Sequence, residues 1–177
     1  MQERPNAVTM RGQPLTLAGN EIKQGDRAPD FEVIDNSLSP VKLSSYAGKI
    51  VVIISVPSLD TPVCDLETRR FNKEAGQLSE KVVVLAISMD LPFAQKRWCG
   101  AAEVSHVTTL SDHREASFGL AYGLLIKELR LLARAVIVVD PSGTVRYLEL
   151  VKEISSEPDY DAALRAVNQC LAGQKSI

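Results

Sequence analysis

The stretch from Ile50 to Val56 is seven residues, nearly all aliphatic and β-branched, and it is cut off by Pro57. A membrane helix needs about 20 apolar residues, and a half-exposed strand alternates polar with apolar, so the run predicts a strand buried on both faces. Such a strand must be covered from both sides. Proline then ends it by removing a backbone donor. Beyond the loop the pattern predicts a helix over 62–80, a strand from Val82 to Ser88 and a helix from Pro92 to Ala102. That is the rhythm of parallel strands joined by crossover helices.

The flanking segments read differently. Residues 7–10 and 14–17 enclose Arg11-Gly12-Gln13 and predict an amino-terminal hairpin, and Phe31 to Ile34 with Val41 to Leu43 predict a second short pair. Arg134 to Asp140 and Thr144 to Val151 are joined by Asp140-Pro141-Ser142-Gly143, a turn sequence for an antiparallel hairpin. Tyr160, Ala163, Leu164, Val167 and Leu171 repeat at helical spacing before Gly173, with Ser155 or Ser156 as cap and Pro158 as the start. Together these elements predict one domain spanning 1–177, of α/β class. Its fold is thioredoxin-like: a mixed central sheet flanked by helices, with residues 1–20 as an extra amino-terminal β-hairpin.

Composition narrows the function classes. The net charge of −2 comes with no cluster of Lys and Arg, and Arg69-Arg70 alone read as a solvated helix face, so no nucleic-acid partner is expected. The first residues lack the apolar core of a secretory signal and no stretch is long enough to span a membrane, so the expected location is cytoplasmic. In a reducing cytosol Cys64, Cys99 and Cys170 do not form a static disulfide framework, which leaves redox chemistry or burial. His106 and His113 lie far from any cysteine and lack ligand spacing, so neither a metal nor another cofactor is expected, and both read as surface residues.

Cys64 is where the chemistry concentrates. Asp60 or Thr61 caps the helix, Pro62 suits its first position, and with Thr61 as cap Cys64 falls third. There the backbone N–H groups lack intrahelical partners and the helix end favours a thiolate, while the adjacent Asp65 opposes it. The plain alternative is inert core, since Cys64, Phe71, Ala75 and Leu78 share a face. Against it, Thr61-Pro62-Val63-Cys64 occupies the place where a thioredoxin-like protein carries Cys-x-x-Cys. The first cysteine of that pair is missing, so an exchange site built on two adjacent cysteines is excluded while a single nucleophilic thiol is retained. Cys170 falls on the apolar stripe of the last helix and reads as core.

Pro57-Ser58-Leu59-Asp60-Thr61-Pro62-Val63-Cys64 resembles the peroxiredoxin signature Pro-x-x-x-Thr-x-x-Cys. Trp98-Cys99-Gly100-Ala101, Leu132-Ala133-Arg134-Ala135-Val136 and Glu157-Pro158-Asp159-Tyr160 follow in the order of the atypical two-cysteine peroxiredoxins of the thiol peroxidase type. The resemblance implies a peroxidase for hydrogen peroxide and alkyl hydroperoxides. By it, Cys64 is the peroxidatic cysteine, Thr61 and Arg134 position and polarise the peroxide, Pro57 shields the site, and Cys99 resolves the sulfenic acid as an intrachain disulfide. It further implies thioredoxin as reductant and a homodimer. Lys127-Glu128-Leu129-Arg130 departs from the family's Gly-containing stretch, and Cys170 lies outside its two working cysteines. Two other classes compete: a thiol–disulfide oxidoreductase, which needs a second thiol beside Cys64, and a redox sensor or holdase.

A lowered thiol pKa is not by itself a peroxidase. Moving any thiol from about 8.5 to about 6 raises its thiolate fraction at pH 7 roughly 30-fold. Its intrinsic nucleophilicity falls roughly 13-fold over the same span, so the net gain is only about twofold. The larger contribution must come from donors aimed at the charge developing on the peroxide oxygens. Arg134 suits that role, whereas its alternative is a solvated charge at a strand end. A disulfide also needs Cα atoms within about 7 Å, which two packed helices seldom supply, so oxidation is expected to unwind both cysteine segments locally.

Overall fold

The computed structural model describes residues 1–174. Its main sheet has seven strands: β3 (Glu32–Ile34), β4 (Pro40–Lys42), β5 (Ile50–Ser55), β6 (Val82–Ser88), β7 (Thr108–Ser111), β10 (Ala135–Val139) and β11 (Val145–Leu150), in the order β11-β10-β5-β6-β7-β3-β4. β5, β6 and β7 run parallel, and β10 runs antiparallel to β5. The sheet is therefore mixed, and all six residues of β5 are buried at its centre.

Alternation along β5 assigns each residue to one of two cores. Ile50, Val52 and Ile54 join Phe71 of α1 (Pro62–Ala75) and Ala163 and Val167 of α4 (Tyr160–Gly173). Val51 and Ile53 point the other way, onto Phe31, Leu17, Tyr122 and Phe118, the last of these on the short helix α3 (Ser117–Ala121). Each buried Val or Ile gains about 1.5–3 kcal/mol over its exposed state, so both faces reward the same register. α2 (Pro92–Ala102) packs on β7.

The amino-terminal hairpin is present. β1 (Glu3–Met10) and β2 (Gln13–Ala18) pair antiparallel around Arg11 and Gly12, both at positive φ as a tight hairpin turn requires. β2 continues to β8 (Leu125–Ile126) and β9 (Leu131–Leu132), completing a second, four-stranded sheet. The departing segment 127–130 is the turn between β8 and β9, with Arg130 at φ 50° and the Glu128 carboxylate accepting the Thr16 N–H. Gly19 closes the hairpin on the body: its φ is +111°, and a Cβ there would stand 2.3 Å from the Leu120 carbonyl oxygen. Gly19→Ala is expected to cost about 2 kcal/mol or more in chemical denaturation, because a backbone clash adds to a strained dihedral.

Several boundaries differ from the sequence expectation. α1 ends at Ala75 rather than Glu80, because the Gln77 and Leu78 N–H groups close onto the Glu74 and Ala75 carbonyls, three residues back rather than four. Leu78 still packs on the core. α4 starts at Tyr160 and is capped by Asp159, whose carboxylate accepts the Ala162 N–H, whereas the Ser155 hydroxyl is bound to Glu153. The helix also runs through Gly173 rather than stopping before it. β7, α3, β8 and β9 have only two to five residues each, too few for a periodic signal. Among the described residues no helix is long and apolar enough to cross a membrane.

Candidate active site

The parallel strand β5 ends where the loop to α1 begins, and Pro57 at that exit is buried. Asp90, in the loop between β6 and α2, fixes this crossing. Its carboxylate accepts the Ser58 hydroxyl at 2.7 Å and the Leu59 N–H at 2.8 Å.

Thr61 occupies the cap position with extended backbone, Pro62 follows at the first helical position, and Cys64 is third. The Thr61 side chain, however, does not cap the helix. Its hydroxyl turns back to donate to the Ser58 carbonyl at 3.0 Å. That leaves the hydroxyl oxygen as an acceptor and the first helical N–H groups without a side-chain partner.

Cys64 is fully buried with Val56 and Leu59, in a cluster against which Trp98 packs. It is not merely core, because a charge reaches it. Arg134, 1% exposed, directs Nη2 to the Cys64 sulfur at 3.2 Å. Its Nη1 pairs with Glu67 and its Nε donates to the Ile154 carbonyl at 2.9 Å. All three nitrogens are engaged, so the guanidinium has one orientation. Burial opposes its charge, yet Glu67 and Cys64 hold the proton more tightly still, and its pKa is raised.

Glu67 is the residue that sequence reasoning missed. It is fully buried, and burial pushes its carboxyl up to about 7 against the pull of Arg134. Its Oε1 is buried without a partner. The available signal was spacing: three residues after Cys64 a helical side chain returns to the same face. Asp65, expected to oppose a thiolate, faces α2 instead. Its carboxylate accepts the Trp98 indole N–H at 2.9 Å and Arg69 Nε at 2.9 Å, and Arg69 lies 5.9 Å from the Trp98 ring centre.

Cys99, on α2 beside Trp98, is half-buried, with its sulfur 3.3 Å from the Thr109 hydroxyl. Cys64, Cys99 and Cys170 are all free thiols. Cys170 lies on α4 and packs on the helix-covered face of the sheet, where burial pushes its thiol up. His106 is exposed, whereas His113 is half-buried and hydrogen-bonded to Ser111 through Nδ1. Among the described residues no three His, Cys, Asp or Glu side chains group closely enough to hold a metal ion.

The fold and a buried cysteine clamped by arginine at a helix start define a redoxin-type thiol centre. The Redoxin family matches residues 23–164. A thiol peroxidase from Oceanobacillus iheyensis is 57% identical over 92% of this chain and 98% of its own length. One from Halalkalibacterium halodurans is 53% identical over 93% of this chain and 99% of its own. A solved peroxiredoxin-like protein from Aquifex aeolicus superposes with a TM-score of 0.88 at 43% identity, covering 93% of this chain and 97% of that one. This chain belongs to the redoxin family and, within it, to the thiol peroxidases.

Proposed function

We propose that this thiol-dependent peroxidase reduces hydrogen peroxide and alkyl hydroperoxides through Cys64, with Cys99 as resolving thiol and thioredoxin as reductant. The observation that carries the reading is the 3.2 Å contact between Arg134 Nη2 and the sulfur of Cys64, both buried. A thiolate there attacks one peroxide oxygen, and the O–O bond breaks. The electron pair leaves on the other oxygen, which takes a proton to become water or alcohol. Cys64 becomes a sulfenic acid, oxidised by two electrons. Arg134 and the free N–H groups at the start of α1 supply donors for the departing oxygen. The Thr61 oxygen, its own hydrogen committed to Ser58, accepts the hydrogen of the entering peroxide. Pro57 lines the exit of β5 and keeps water out.

The Cys99 thiol then displaces hydroxide from the Cys64 sulfenic acid, forming the Cys64–Cys99 disulfide and water. The two thiols stand on separate helices, so α1 and α2 unwind locally around them, breaking the Asp65–Trp98 bond. The reaction takes place in the cytoplasm, in one domain. The enzyme is a homodimer, for which exposed Leu66, Leu91 and Phe93 leave apolar surface on and beside the two cysteine-bearing helices.

Coupled peroxide consumption with thioredoxin, thioredoxin reductase and NADPH tests this. Cys99→Ser is expected to complete one turnover and then stop, at least 100-fold below wild type in the steady state, while Cys170→Ser stays within about twofold. Sustained wild-type turnover by Cys99→Ser would remove Cys99 from the mechanism.

A further inference from the structure

The third donor of Arg134 leads away from the thiol, to the carbonyl of Ile154. The segment carrying that carbonyl brackets the arginine twice, since the Val151 N–H also donates to the Arg134 carbonyl at 3.0 Å. What holds Ile154 is the amino-terminal hairpin. The Ile154 N–H donates to the Thr9 carbonyl at 2.9 Å, and the Thr9 N–H donates to the Lys152 carbonyl at 2.7 Å, a short parallel bridge between β1 and this segment.

Glu153 fastens that bridge. One carboxylate oxygen accepts the Arg11 N–H at 3.0 Å together with the N–H and hydroxyl of Ser155. The other accepts the Thr9 hydroxyl at 2.8 Å and the Gly12 N–H at 3.1 Å. The two turn residues sit at φ 50° and 79°, which turns their successive N–H groups toward one anion. Five donors on one carboxylate, from two segments about 140 residues apart, hold it well below the usual range, at about 2, with the Ser155 hydroxyl contributing most.

We propose that the hairpin tip and Glu153 form a brace that fixes the Ile154 carbonyl and thereby aims the Arg134 guanidinium at Cys64, making Glu153 a positioning residue for the peroxide step. This rests on the role given to Arg134 above. The guanidinium is planar, so the direction of its Nε–H sets where Nη1 and Nη2 point. A shift of the Ile154 carbonyl therefore tilts the donor at the sulfur. Misplacement of a reacting group by about 1 Å costs up to about 100-fold in rate.

A double-mutant cycle on the full chain tests the brace, read as the second-order rate constant for oxidation of Cys64 by hydrogen peroxide, followed by Trp98 fluorescence. Glu153→Gln puts an amide NH2 where backbone donors converge and is expected to lower that constant about tenfold. Thr9→Val, which removes one of the five donors, should lower it about threefold and answers the question if Glu153→Gln fails to fold. In an Arg134→Lys background neither change should lower the rate further, because the brace acts only through the guanidinium. A merely structural role would slow both backgrounds equally, and that result overturns the proposal. A wild-type rate in both folded brace variants overturns it as well. Should Arg134→Lys itself react like wild type, the role of Arg134 falls and the brace with it, an outcome distinct from the other two.

Discussion

Arg134→Lys is expected to slow oxidation of Cys64 by hydrogen peroxide about 100-fold or more while the chain stays folded. Arginine makes three separate contacts here: Nη2 to the Cys64 sulfur at 3.2 Å, Nη1 to Glu67, and Nε to the Ile154 carbonyl at 2.9 Å. A lysine ammonium keeps the charge, so Glu67 retains a partner in the buried pair. It cannot hold all three directions from one point. Losing one donor aimed at a developing oxyanion typically costs about 100- to 1000-fold. Stopped-flow fluorescence of Trp98, the sole tryptophan, gives the rate, and thermal unfolding checks the fold. A rate within threefold of wild type would remove Arg134 from the reaction.

Cys64→Ser is expected to abolish peroxide consumption altogether. A serine hydroxyl is not oxidised by peroxide, and it holds too little alkoxide near pH 7 to attack one. The variant should fold, since serine is slightly smaller and its oxygen can accept from Arg134 Nη2, the donor now on the sulfur. The cost of burying that hydroxyl is about 1–2 kcal/mol. The coupled thioredoxin assay and a denaturation curve read the two effects separately. Peroxide turnover by this variant would move the chemistry to Cys99 or Cys170.

The alternation of buried strand and helix was legible because β5 and β6 are covered on both faces and leave continuous apolar runs. Ile50 pairs with Val82 and Ser55 with Ile87 as that pattern demands. The cap position of Thr61 and the place of Cys64 were legible from Pro57 and Pro62. The direction of the Thr61 hydroxyl was not, since Ser58 competes for it over a distance of three residues. Glu67 was hidden by its own type: a glutamate on an early helical turn reads as solvated, and only the arrival of Arg134 from the link between β9 and β10 makes its burial tolerable. The brace on Ile154 was equally out of reach, since it joins Arg11 to Glu153 across the whole domain.

The central claim is that Arg134 acts on the transition state of O–O cleavage rather than merely on the thiol. The most direct test compares two second-order rate constants for Cys64, one with hydrogen peroxide and one with iodoacetamide, in wild type and in Arg134→Lys. Alkylation needs the thiolate but develops no peroxide oxyanion, and a lowered thiol pKa, its gain in thiolate offset by lost nucleophilicity, accounts for only about a twofold net gain over an ordinary thiol. The peroxide constant should fall about 100-fold or more and the alkylation constant less than about tenfold. Equal losses in both reactions would contradict the claim and return the reactivity of Cys64 to its thiolate alone.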